Sequence, residues 1–359
     1  NDYYNGGGEL PLPMTALFGL GRSELEQALS ELSGEVGATG GAQSAMRTNG
    51  ILLGQMLNGF APGRGGGPQP ASAKVAGMAI MPPADGAPAS GGWSMWGSVM
   101  GGMADLPGDG GQGSHDTDTD IMGFATGWDT ALSDDTTAGF AIAGGGTQWD
   151  LDSGLGSGDS IFLELGAHGT HRMGNSYLSL AGAYGWHAMS TERRVSLGGE
   201  SGKLDADFNA SSLGGRLEAG HRFGAGGSLG VTPYGALQAL AAFMPDYEED
   251  ASAGAEAFAL DYDSNTATAL RGELGLMLDT DLGGKGRAYA RLAWAHDWQD
   301  GNSVDASFQS LPGASFTVNG AEAPDDVALV GLGADMALSA ATTLSASFDG
   351  EFGEDYQSY

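Results

Sequence analysis

Beyond Gly92 the sequence alternates apolar and polar residues with a period of two, which commits it to strands with one oily and one wet face. In 213–223 Leu213, Leu217, Ala219 and Phe223 take odd positions, and Arg216, Glu218 and Arg222 take even ones. Leu270, Leu274, Leu276 and Leu278 oppose Arg271, Glu273 and Asp279; Ala288, Ala290, Leu292 and Trp294 oppose Arg287, Tyr289 and Arg291. Near the end, Val330, Leu332, Ala334, Met336 and Leu338 oppose Asp335, while Leu344, Ala346, Phe348 and Phe352 oppose Asp349 and Glu351.

A soluble sandwich alternates as well, so the connections must decide. Strands are expected near 92–105, 118–131, 137–150, 159–171, 175–190, 205–223, 228–244, 258–279, 287–299, 326–338 and 343–353. Short connections (132–136, 172–174, 224–227, 280–286, 339–342) then alternate strictly with long ones (106–117, 151–158, 191–204, 245–257, 300–325). All tight turns at one end and all long loops at the other is the layout of an up-and-down outer-membrane barrel, whereas a Greek key mixes them. Single-chain bacterial barrels have an even strand number, and an unclosed edge in lipid is costly. The expectation is therefore an all-β fold, a twelve-stranded antiparallel transmembrane β-barrel with eleven strands in this chain and the last strand missing, preceded by an N-terminal helical and linker segment.

Charge and composition narrow the function. With 14 Lys and Arg against 45 Asp and Glu, net −31, the chain lacks the clustered cations that phosphate neutralisation needs, so nucleic acid is excluded as a partner. No Cys means no disulfide framework, thiolate metal site or thiol catalysis, and suits passage through an oxidising periplasm. No run approaches the roughly 18 apolar residues of a spanning helix. Asn1 opens no charged-then-apolar leader, so the chain is read as the C-terminal part of a longer precursor.

Three regions differ in texture. Residues 1–60 carry a helical signature in which Leu25, Ala28, Leu29 and Leu32 follow a capping box at Ser23 and end at Gly34. A second helix is expected over 42–60, with Gly50 and Gly54 lowering its propensity. Residues 61–91 are rich in Pro, Gly and Ala and read as an extended linker; the barrel occupies 92–359.

At this point the residues resemble the autotransporter β-domain family. The resemblance rests on 28–35 (ALSELSGE), Trp93-Ser94-Met95-Trp96-Gly97, Gly127-Trp128-Asp129, Thr232-Pro233-Tyr234, Tyr247-Glu248-Glu249, Ala293-Trp294-Ala295-His296-Asp297 and the stretch around Leu311-Pro312-Gly313, in order. It departs at the C-terminus, where the family closes with a strand ending in an aromatic. The resemblance implies a location in the bacterial outer membrane and an N-terminal passenger that crosses to the extracellular side through the lumen. It also implies help from the barrel-assembly machinery and periplasmic chaperones. A helix or linker then stays in the lumen, with 42–60 favoured over 73–81.

Inward parity predicts a lumenal polar row of Asp129, Glu164, His168, Arg216, Glu218, Arg222, Arg271, Glu273, Arg291, Asp335, Asp349 and Glu351, with lipid against the opposite face. Trp93, Trp96, Trp128, Trp186, Trp294 and Trp298 fall near strand ends and read as interfacial girdles. No catalytic, cofactor or metal site is expected. Gly158-Asp159-Ser160-Ile161 is similar to an esterase nucleophile block but has no downstream Asp-x-x-His, so a loop entering a strand is the better reading. Asp116, Asp118 and Asp120 lack the Gly and distal Glu of a calcium loop and read as an acidic external loop. Self-cleavage after Asn58, served by Asp129, Glu218 or Glu273, is an option that the spacing does not demand. Two rival readings are a passive outer-membrane pore, which needs no helix in its lumen, and a soluble β-rich adhesin, which needs no lipid.

Overall fold

The computed structural model describes residues 10–57, 77–81, 93–223, 229–282, 286–339 and 342–359. Two helices come first, α1 (Arg22–Ser33) and α2 (Gly41–Leu57). Helix α1 starts one residue before the expected cap: the Gly21 amide donates to the Glu24 carboxylate at 3.0 Å, and Gly34 ends the helix in the left-handed region at φ 68°. Helix α2 matches the second expected helix as far as Leu57; 58–60, and with them Asn58, lie outside the described residues.

The strands follow as β1 (Gly77–Met81), β2 (Trp93–Leu106), β3 (Thr117–Ser133), β4 (Thr136–Leu151), β5 (Gly156–Met173), β6 (Ser176–Leu197), β7 (Glu200–His221) and β8 (Leu229–Met244). Next come β9 (Tyr247–Glu248), β10 (Asp250–Ala251), β11 (Leu260–Tyr262), β12 (Asn265–Asp281), β13 (Gly286–Asp300), β14 (Ser303–Phe308) and β15 (Ser315–Asn319). The last three are β16 (Asp326–Ser339), β17 (Thr342–Gly353) and β18 (Tyr356–Ser358). Eleven long strands pair antiparallel with their chain neighbours from β2 round to β17, skipping only the short ones.

The barrel is closed, which corrects the expectation of a missing last strand. Between β17 and β2, β18 fills the twelfth position at the long-loop end, pairing Phe352 with Gln357 and Asp105 with Gln357. The extra strand β1, from the segment read as an extended linker, fills the same gap at the short-turn end, pairing Leu344 and Gly97 with Ile80. Counting strands by alternation could not find either, because one is three residues long and the other lies amid Pro and Gly.

Three of the long connections are not loops. The stretch read as a 191–204 loop continues the β6–β7 ladder to Leu197↔Glu200, and Gly198 and Gly199, both at positive φ, make the two-residue turn that a right-twisted hairpin requires. The 245–264 and 301–325 connections build a separate four-stranded sheet, β15-β14-β11-β9, while β10 adds to the protruding part of β7. Leu260, Tyr262, Val304, Ala306 and Val318 form the core of this lid. Helix α1 packs beside it through Ala28 and Leu32, against Val195, Leu197, Leu204 and Phe258.

Outward positions of the wall are apolar and exposed, among them Leu163, Leu165, Leu217, Leu274, Leu276, Leu292 and Leu332. Such a belt suits lipid rather than water. Trp93, Trp186, Trp294 and Trp298 are exposed in it, and Trp128 stacks on Phe140 at 5.1 Å. Trp96 breaks the girdle reading: it points inward and is buried, lying across its cross-strand partner Gly127, where any Cβ would overlap the indole. The Gly158–Ile161 block lies within β5, and Ser160 is buried on Thr147 at 3.0 Å rather than presented from a loop.

Candidate functional site

Helix α2 lies inside the barrel. Its sequence puts Ala45, Met46, Leu52, Leu53, Met56 and Leu57 on one side and Gln43, Arg47, Gly50 and Gly54 on another. The apolar side seats against the inward faces of β2 to β8. Leu52, Leu53 and Met56 meet Trp96, Met100, Ala143, Phe162 and Ala181 towards the short-turn end. Ala45 and Met46 meet Trp149, Met189, Phe208 and Met244 towards the long-loop end. Burying each large side chain contributes about 1.5–3 kcal/mol, so this seam holds the helix more strongly than its polar contacts do.

Those polar contacts set the register. Thr48 Oγ1 donates to Glu164 Oε1 at 2.8 Å, Asn49 Nδ2 donates to Ser212 Oγ at 3.2 Å, and Ser98 Oγ donates to Gln55 Oε1 at 3.3 Å. Arg47 reaches the seam of the barrel, donating to the Met103 carbonyl at 2.8 Å and to Ser358 Oγ.

On the other side of α2 the lumen stays open as a cavity of about 270 Å³ lined by charged side chains. Arg216 forms a bidentate pair with Glu273 at 2.6 and 2.9 Å and a further bond to Glu218 at 2.8 Å. Tyr177 and Tyr234 donate to Glu218 and Glu273 at 2.8 and 3.2 Å. Arg271 clamps Asp297 at 2.8 Å and Glu351 at 2.6 Å, and Arg291 and Asp349 line the same space. Charges buried in this way persist where each finds an opposite partner, as Arg216 and Arg271 do.

The polar row read from the sequence is thus split. Arg216, Glu218, Arg271, Glu273, Arg291, Asp349 and Glu351 share the cavity. Asp129 pairs with His168 at 2.8 Å, Arg222 with Asp279 at 2.9 Å and Asp335 with Arg287 at 3.0 Å, all nearer the short-turn end. Glu164, fully buried, lies under the helix. Sequence reasoning missed Asp297, although it shares inward parity with Arg291, and it missed that the inward face of β4 and β6 is small and apolar. Ala141, Ala143, Ala181 and Ala183 form that helix seat; with apolar residues on both faces, these strands hide which one looks inward.

Above the lumen, the segment joining α1 to α2 is gripped by the lid. Arg193 on β6 and Glu249 are both almost wholly buried and pair at 2.7 Å through two nitrogens. Arg193 also donates to the Glu31 carbonyl at 2.7 Å, in the last turns of α1. Burial alone would lower the Arg193 pKa, but the Glu249 carboxylate outweighs it and holds it above the usual value. Glu35 accepts from the His115 amide at 2.7 Å and meets His115 Nδ1 at 2.6 Å; burial pushes its carboxyl up, against the lowering by those bonds.

Comparison with known proteins agrees with this architecture. A family model described as the autotransporter beta-domain matches residues 95–349. An extracellular serine protease of Serratia marcescens is 26% identical over 266 residues, covering 73% of this chain and 25% of that protein. The chain thus spans about a quarter of the length of the curated relatives it matches. Among solved structures, the translocator domain of the autotransporter NalP from Neisseria meningitidis superposes with TM-score 0.64 at 18% identity, over 88% of this chain and 94% of that one. The β-domain of the Bordetella autotransporter BrkA gives TM-score 0.50 at 19% identity, over 79% and 95%.

Proposed function

The chain belongs to the autotransporter β-domain family and is an outer-membrane translocator; from that premise we propose that it exports an N-terminal passenger through its lumen to the cell exterior and then anchors it. In this reading 1–60 holds the end of the passenger and the helical segment, 61–91 links it to the wall while lending β1 to it, and 92–359 is the barrel. One observation carries the direction of export: α2 enters at the long-loop end, beside Trp149 and Met244, and ends beside Trp96, at the short-turn end where β2 begins. The chain ahead of Gly41 therefore leaves through the mouth whose loops are long, the external side of such barrels.

The charged half of the lumen supports passage. Arg216, Glu218, Arg271, Glu273, Arg291, Asp349 and Glu351 offer fixed donors and acceptors to the main chain of an extended segment, which could not cross a dry apolar bore. Arg222, Asp335 and the Asp129–His168 pair extend the polar lining towards the short-turn end, and Glu164 anchors the finished helix. Insertion of the wall itself would fall to the barrel-assembly machinery, with periplasmic chaperones holding the chain beforehand. A passive pore is the weaker reading, because α2 fills the side of the lumen that such a pore leaves open.

The test is an epitope fused ahead of residue 1. Protease added to intact cells is expected to remove it while the barrel keeps its heat-modifiable gel shift. An epitope reached only after permeabilisation, with the barrel inserted, refutes export. Deleting 41–57 is expected to raise conductance; an unchanged conductance favours the passive pore.

A further inference from the structure

Three side chains at the mouth, one on β6 and two in the lid, bond the segment between α1 and α2 through its backbone alone. Arg193 donates to the Glu31 carbonyl at 2.7 Å, Tyr262 to that of Gly34 at 2.8 Å, and Tyr247 to that of Gly37 at 3.4 Å. The accepting residues are three apart: Glu31 in the last turn of α1, Gly34 at its left-handed cap, and Gly37 in the turn that follows. Tyr247 is stacked between Phe208 and Tyr262, with ring centroids 4.1 and 4.7 Å away, so seating the lid against β7 brings both hydroxyls to the carbonyls together.

Side chains are excluded from the same row. A Cβ on Gly37 would lie 2.5 Å from the Tyr247 hydroxyl and from the Tyr262 ring. One on Gly34 would overlap the Tyr262 hydroxyl and one on Gly40 the Trp149 indole, and both glycines also have positive φ. The spacing Gly-x-x-Gly-x-x-Gly that fits this collar occurs once in residues 1–91, at Gly34, Gly37 and Gly40.

We propose that Tyr262, Tyr247 and Trp149, with Arg193 above them, form a docking site for the main chain of a glycine-punctuated segment, and that its capture of 34–40 fixes where the exported chain comes to rest and lets the lid close over the lumen. This rests on the export reading above. While other residues pass, their side chains keep the collar apart and the lid unseated. When the glycine triad arrives, the three carbonyls reach their donors, the Arg193–Glu249 pair is enclosed, and the apolar side of α2 drops into register with its seat. Specificity then comes from the absence of side chains, so the site accepts varied passengers upstream and stops all of them at one position.

The experiment compares wild type with Gly37→Val in the full chain. The readouts are barrel fold by heat-modifiability, conductance in a planar bilayer, and the rate at which protease cuts within 22–40. Gly37 has no positive φ, so the substitution tests space and not backbone strain. Gly37→Val is expected to keep the folded barrel, raise conductance and speed cleavage about tenfold or more, the size of effect that overpacking gives. Wild-type conductance and cleavage in a folded Gly37→Val barrel overturn the proposal. Where that variant does not fold, Gly37→Ala decides by the same readouts. Surface exposure of the N-terminal epitope is scored in parallel: its loss in wild type counts against export, while the conductance comparison still judges the collar.

Discussion

Removing Glu249 should unseat the lid while sparing the barrel. Arg193 and Glu249 are 1% and 2% exposed as side chains and share two 2.7 Å bonds. Without the carboxylate, the guanidinium keeps only neutral partners, the carbonyls of Glu31 at 2.7 Å and Phe258 at 3.0 Å. Breaking one side of a buried pair costs about 3–5 kcal/mol, because the remaining charge stays desolvated. At roughly 1.4 kcal/mol per factor of ten, Glu249→Leu should speed amide exchange in β11 and β14 by about a hundredfold to several thousandfold. Amides of β12 and β13, deep in the wall, should not change and serve as the internal reference. The double variant Arg193→Met with Glu249→Leu replaces both charges by apolar groups and should recover most of the protection. If the double variant exchanges as fast as either single one, the pair is not coupled and the reasoning fails.

Other outcomes follow from the lumen and its mouth. Leu53→Ala, at a fully buried contact of the lumenal helix, should cost about 2–5 kcal/mol of helix seating, read as a lower urea concentration for the onset of conductance. Arg216→Met leaves Glu218 and Glu273 without their cation and should lower the temperature of the heat-modifiable transition; replacing all three by apolar residues should restore much of it. Brominated lipid should quench single-Trp variants retaining Trp294 or Trp298 but not those retaining Trp96 or Trp149, and equal quenching would contradict the inward placement of Trp96. Because burial raises the Glu35 carboxyl, its protonated form favours the docked segment: that contribution is present below the ordinary value of 4.5 and is lost as pH rises through the raised one. Cleavage within 22–40 should therefore be slower in acid, and Glu35→Gln should flatten the dependence.

The wall was legible because lipid on one side and polar groups on the other force parity onto every long strand; Leu270 to Asp279 shows this without ambiguity. Parity fails where both faces are apolar, as in β4 and β6, and there the seat for the helix went unseen. The lid was invisible for another reason. Residues 245–264 and 301–325 form one sheet because β11 pairs with β14 across two separate connections, as Leu260 does with Phe308, and not from local pattern. Arg193 read as part of a loop, since nothing near it in sequence announces Glu249 as its partner. The glycine spacing at Gly34, Gly37 and Gly40 was in plain view, but its meaning depends on which aromatics stand opposite.

The wall is stitched unevenly. From β2 to β17 each new strand meets the one just made, so those ladders form at little entropic cost, whereas the join between β17 and β2 unites the two ends of the whole meander through two short pieces. Fourteen register pairs link β2 to β3, whereas among the described residues β2 has two with β1, two with β18 and the reciprocal backbone bonds of Met103 with Tyr359. Zipping should therefore finish there, and the same join should be the first to part when the cylinder is stressed, giving the wall a built-in place to yield sideways while the rest of it holds.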